Sequence, residues 1–138
     1  MRRTRLAAGH IAALLLLSAG GCGERLYPVS GKVTLDDGKP LAKGLVIFEG
    51  LEGEKKVTAR GDIQADGTYR LSTRRPGDGV PPGKYQVLIS PRVDVDNPEP
   101  VPFDNRYTDF KTSGLTYEVT SGSNEYPIQL SRAGKGRR

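Results

Sequence analysis

The chain has 138 residues, 21 Lys+Arg against 16 Asp+Glu, one His, one Cys and no Trp. That length suits one domain, and the single cysteine excludes an internal disulfide framework. The formal charge of +5 invites a nucleic-acid reading, but the arginines and lysines form no basic stripe along any one element, so that class is set aside.

Met1 to Arg5 is a positively charged opening, and Leu6 to Leu17 is an apolar run, densest over Ala12 to Leu17. Ser18-Ala19-Gly20-Gly21 supplies small residues just before Cys22. This is the layout of a secretory signal over residues 1–21, with an apolar run too short to span a bilayer. Arg2-Arg3 is not followed by a twin-arginine pattern, so the general secretory route is expected. Removing residues 1–21 takes three arginines from the 21 Lys+Arg and leaves 18, against an unchanged 16 Asp+Glu, a net charge of +2. It also removes His10, the only histidine.

Residues 22–26 read as a short tether. From Tyr27 on, short alternating runs are cut by Gly, Pro, Asp and Asn, which is the all-β signal. In the first run, Tyr27 to Leu35, Val29, Val33 and Leu35 share one face and Ser30, Lys32 and Thr34 the other. Asp36 to Pro40 is a turn. The second run, Gly44 to Glu49, is apolar on both sides and cannot be oriented by periodicity. The third, Lys56 to Gln64, puts Val57, Ala59, Gly61 and Ile63 together. Ala65-Asp66-Gly67-Thr68 is a hairpin turn. The fourth run, Tyr69 to Thr73, aligns Tyr69, Leu71 and Thr73; the fifth, Lys84 to Ser90, aligns Tyr85, Val87 and Ile89.

Pro91 to Lys111 is a long irregular segment rich in Pro, Asp and Asn, a length that in compact domains marks a functional or mobile loop. Two runs close the domain: Leu115, Tyr117 and Val119 alternate with polar residues, and so do Tyr126, Ile128 and Leu130. Pro127 cannot donate to a ladder, which places the last strand at a sheet edge. Residues 132–138 read as a disordered basic tail. Seven strands with no helical period after residue 26 predict a seven-stranded antiparallel β-sandwich over residues 27–131. An immunoglobulin likeness is architectural only, since the Cys…Trp…Cys core is absent.

Two resemblances add to this reading. Small residues ahead of Cys22 resemble the lipobox of bacterial lipoproteins, with Ala19 where that pattern commonly has Leu. The resemblance implies cleavage before Cys22, acylation of its thiol, and a lipid anchor in the cell membrane or outer membrane. Val29-Ser30-Gly31-Lys32-Val33-Thr34 with Asp37-Gly38-Lys39-Pro40-Leu41, then Ala65-Asp66-Gly67-Thr68-Tyr69, Pro81-Pro82-Gly83-Lys84-Tyr85 and Thr112-Ser113-Gly114-Leu115 resemble, in order and spacing, the carboxypeptidase regulatory-like domain. That family implies a transthyretin-like sandwich and no catalytic residues.

Candidate chemistry is sparse. Without histidine in the exported chain, no base stands ready beside a serine nucleophile, and a nitrogen- or sulfur-ligated metal has no ligands. No enzyme activity and no cofactor are expected. Calcium needs only oxygens, and Asp94, Asp96, Asp104 and Asp109 offer them, although Glu99 stands where an EF-hand loop needs Gly. A Lys32–Asn124 isopeptide bond beside Glu118 is formally possible, but alternation turns Lys32 and Glu118 outward. Tyr69, Tyr85, Tyr117 and Tyr126 are in phase with core positions. Phe103, Tyr107 and Phe110 in the 91–111 loop are candidate ligand contacts, or else a cap on the open end of the sandwich, the cap being favoured. The expected function is a non-catalytic structural or protein-interaction module at the cell envelope; the alternative is a glycan-binding module using residues 91–111.

Overall fold

The computed structural model describes residues 23–53 and 56–134; the predicted signal, Cys22 and the last four residues of the tail lie outside them. The strands are β1 (Val29–Leu35), β2 (Leu45–Gly50), β3 (Thr58–Asp62), β4 (Thr68–Arg70), β5 (Gly83–Ser90), β6 (Leu115–Val119), β7 (Asn124–Glu125) and β8 (Ile128–Leu130). One sheet runs β3-β2-β5-β6 and is antiparallel throughout. The other centres on β1, with β4 antiparallel on one side and β7 and β8 on the other. The two form the expected β-sandwich.

The inward residues are those that alternation assigns. Val29, Val33 and Leu35 from β1 meet Tyr85, Val87 and Ile89 from β5, all 4% exposed or less. The doubly apolar β2 is settled by its neighbours: Val46 and Phe48 are fully buried, while Leu45 and Ile47 stay half-buried on the outer face. Phe48 anchors one end of the core, its ring 5.8 Å from Tyr85 and 6.1 Å from both Tyr117 and Tyr126. Tyr117 and Tyr126 stack at 4.6 Å. The four in-phase tyrosines thus pack in or against the core.

Three features depart from the sequence reading. First, the Ala65–Thr68 turn forms, with Gly67 at φ 85°, the left-handed region glycine enters without a Cβ penalty. Asp66 caps it by accepting from the Thr68 N–H at 3.0 Å. The hairpin arms then splay. Arg60 and Ser72 still exchange backbone hydrogen bonds at 2.9 and 2.8 Å, but β3 joins one sheet and β4 the other.

Second, the single closing strand is two, and both run parallel to β1 rather than antiparallel. Pro127 has no N–H to continue the ladder. Opposite the break, a Cβ on Gly31 would lie 2.0 Å from the Tyr126 carbonyl oxygen, so only glycine admits that approach. The edge placement predicted from Pro127 holds, since β7 and β8 pair with β1 alone.

Third, the 91–111 segment contains helix. A 3-10 turn spans Asn105–Thr108 and α1 spans Phe110–Ser113. Each is about one turn, too short to print a 3.6-residue period. Their signals are caps: Asp104 accepts from the Arg106 N–H, Asp109 accepts from the Lys111 N–H, and Gly114 closes α1 at φ 67°.

Candidate functional site

The predicted site segment divides into two parts. Residues 92–100 are exposed, with Val93 and Val95 at 53% and 91%. Residues 103–113 fold down against β5 at one end of the sandwich. Phe103 and Tyr107 are 1% and 4% exposed, their rings 6.4 Å apart. These two side chains are core, so they cap the sandwich and form no open platform; Phe110 alone of the three is half-exposed. The cap is tied to the last strand. The Asp104 N–H donates to the Ser131 carbonyl at 3.0 Å, and the Ala133 N–H donates to Pro102. The Tyr107 hydroxyl accepts from the Ser131 N–H at 3.2 Å and from Arg106 Nη2 at 2.6 Å. The Arg106 guanidinium also lies 4.7 Å from the Tyr107 ring centroid. Ser113 is buried and donates to the Val87 carbonyl at 2.6 Å, joining α1 to β5.

The four oxygen donors weighed for calcium are not assembled. Asp104 and Asp109 are engaged as helix caps, and Asp94 accepts from the Asp96 N–H within its own exposed turn at 3.0 Å. Among the described residues no three acidic, His or Cys side chains gather in a metal-binding group. Nor are the isopeptide candidates brought together. Lys32 and Glu118 are exposed on different sheets, while Asn124 is buried opposite Val29. Its amide donates to the Thr120 and Gly122 carbonyls at 2.9 and 3.1 Å, and its oxygen accepts from the Thr120 N–H at 3.0 Å. Asn124 is a turn clamp. Arg132, assigned to the tail, is instead bridged to Phe103 and ion-paired with Asp36 and Asp37.

What the 91–111 segment does build is a cleft of about 500 Å³ against the Lys39–Lys43 turn. Leu35, Leu41, Val101 and Phe103 give it an apolar floor, and Lys39, Lys43, Arg92 and Arg132 stand around it. Three of these cations are pinned: Lys43 to Glu99 at 2.5 Å, Arg92 to Asp62 at 2.6 Å, and Arg132 to Asp37. The pairs are solvent-exposed and each adds at most about 1 kcal/mol; Lys43–Glu99 ties the loop to the turn, Arg92–Asp62 ties it to β3, and Arg132–Asp37 ties the residues after β8 to the turn. The Lys39 N–H and then Arg132 hold the Asp37 carboxyl below its ordinary range. Sequence reading missed this turn as a cleft wall, because Asp36 to Pro40 carries ordinary turn chemistry and nothing in its spacing announces a partner fifty residues away.

The cleft offers apolar surface, fixed cations and proline-stiffened walls, the usual composition of a binding groove. No family model, no curated protein and no solved structure matches this chain.

Proposed function

We propose that this protein is an exported lipoprotein, anchored through acylated Cys22, whose β-sandwich is a non-catalytic interaction module at the cell envelope. The cleft between the Lys39–Lys43 turn and residues 92–103 is its docking face. The partner is an extended apolar segment of another envelope protein, flanked by an acidic residue that meets Lys39, the rim cation with no ion pair among the described residues.

The observation that carries the reading is the cleft together with Val93 and Val95. Exposed β-branched residues beside an apolar groove with a charged rim mark protein contact surfaces. The resemblance to carboxypeptidase regulatory-like domains, which implies a fold without activity, agrees with it. The signal-like opening and the small residues ahead of Cys22 support export and anchoring.

The test is photocrosslinking in the native envelope with a photoreactive residue at Val93, at Val95, or at Thr116 on β6. The reading expects the same discrete adduct from the first two positions and none from Thr116. Absence of any adduct from Val93 and Val95, or equal adducts from all three, overturns it.

A further inference from the structure

On the flank of the sandwich, away from the cleft floor, four arginines surround one hollow. Arg60 lies on β3, Arg70 ends β4, and Arg74 and Arg75 follow in the next loop; the hollow they line measures about 430 Å³. The loop is rigidly built. Asp78 accepts from the backbone N–H groups of Thr73, Arg74 and Arg75 at 2.8, 3.0 and 2.9 Å. Ser72 accepts from the Gly77 N–H at 2.7 Å, and Thr73 donates to the Gly79 carbonyl at 2.7 Å. The Arg60–Ser72 backbone pair holds β3 beside it.

Among the described residues, none of these four guanidinium groups makes an ion pair or a side-chain hydrogen bond, whereas Arg92 and Arg132 both do. The carboxylate lining the hollow, Asp62, is already paired with Arg92. The nearby Asp78 spends its oxygens on backbone N–H groups. Asp78 also faces the Arg74 charge, so four like charges converge on one concavity against a single carboxylate not engaged in an ion pair, an arrangement that concentrates positive potential. Guanidinium groups bind sulfate and carboxylate oxygens in bidentate fashion.

The shape narrows the ligand. No aromatic ring lines the hollow, so a nucleobase has nothing to stack on. Four cations spread around a hollow of about 430 Å³ suit several oxyanions carried on one chain better than a lone phosphate, and a concave site suits a polymer strand better than a flat lipid surface. Gln64, Ser72 and Thr73 add polar groups of the kind sugar hydroxyls bond.

We infer that this flank is a binding site for an acidic polysaccharide, with its sulfate or carboxylate groups seated among Arg60, Arg70, Arg74 and Arg75. The hollow and the cleft proposed for protein docking share no lining residue, and each is tested without the other.

The full chain in nonionic detergent is titrated calorimetrically with heparin as a sulfated probe, polygalacturonate as a carboxylated probe, dextran as a neutral one, and vesicles containing an anionic phospholipid. Binding is expected to one or both acidic polymers and not to dextran, weakening as salt rises because exposed charges are screened. R74Q/R75Q is expected to weaken binding about a hundredfold, at about tenfold per lost charged contact. K56Q/K84Q, which removes cations paired with Glu49 and Glu52, is expected to change it less than about threefold. All the substituted side chains are exposed, and unchanged melting temperatures verify the fold. No binding to either acidic polymer overturns the inference. So does binding as tight as the parent protein's by both R74Q/R75Q and R60Q/R70Q, or arginine-dependent binding to vesicles alone.

Discussion

Phe103→Ala separates the two roles open to the aromatic residues of the 91–111 segment. Phe103 is 1% exposed, packs on Tyr107, and forms part of the cleft floor. Truncating a buried Phe to Ala removes its transfer free energy and leaves a cavity, a loss of about 3–5 kcal/mol. In a domain of roughly 105 residues each kcal/mol lowers Tm by about 4 °C, so the fall should be about 12–20 °C. Tyr107→Phe keeps the ring but removes the hydroxyl that bonds Ser131 and Arg106, worth about 1 kcal/mol and about 4 °C. Both are read from thermal melts by circular dichroism. If Phe103→Ala lowers Tm by less than about 4 °C, the side chain is not holding the cap and the reasoning from burial fails.

Two further predictions concern the fold. Asn124→Ala strips the Thr120–Asn124 turn of its clamp, removing three hydrogen bonds to the Thr120 and Gly122 backbone; it should cost about 2 kcal/mol, measured by urea denaturation, and a cost below about 0.5 kcal/mol would contradict the clamp. Burial, reinforced by Glu24, pushes the Tyr85 hydroxyl from 10.0 up to about 12. The stability this neutral phenol contributes is whole below pH 10 and is lost as pH rises toward 12, because the unfolded chain ionises first. Tyr85→Phe should therefore be less stable at neutral pH, through loss of the 2.8 Å bond to Pro81, yet decline less between pH 10 and 12; a decline parallel to the parent protein would refute the assignment.

The sandwich was legible in the sequence because period-two alternation is a local signal. Val29, Val33 and Leu35, or Tyr85, Val87 and Ile89, print their burial within a few residues. Turn chemistry was equally local, as Asp66-Gly67 shows. Pairing direction was not: β7 and β8 run parallel to β1, bringing Tyr126 against Gly31 from far along the chain. The one-turn helices escaped because four residues carry caps but no period. The cleft and the arginine hollow were invisible because each is assembled from several separate segments. Lys39, Arg92 and Arg132, or Arg60, Arg70 and Arg75, meet only once the strands between them are placed. Asp104 and Asp109 were read as possible metal ligands when their task is capping, since a carboxylate in a loop looks the same for either use.

The central claim, an exported and membrane-held module that works by contact, is tested most directly by the intact mass of the protein extracted from its own envelope. The account predicts a chain beginning at Cys22, lighter by residues 1–21, heavier by attached acyl groups, and found in the membrane fraction. A soluble product that retains residues 1–21 and carries an unmodified Cys22 thiol would contradict it.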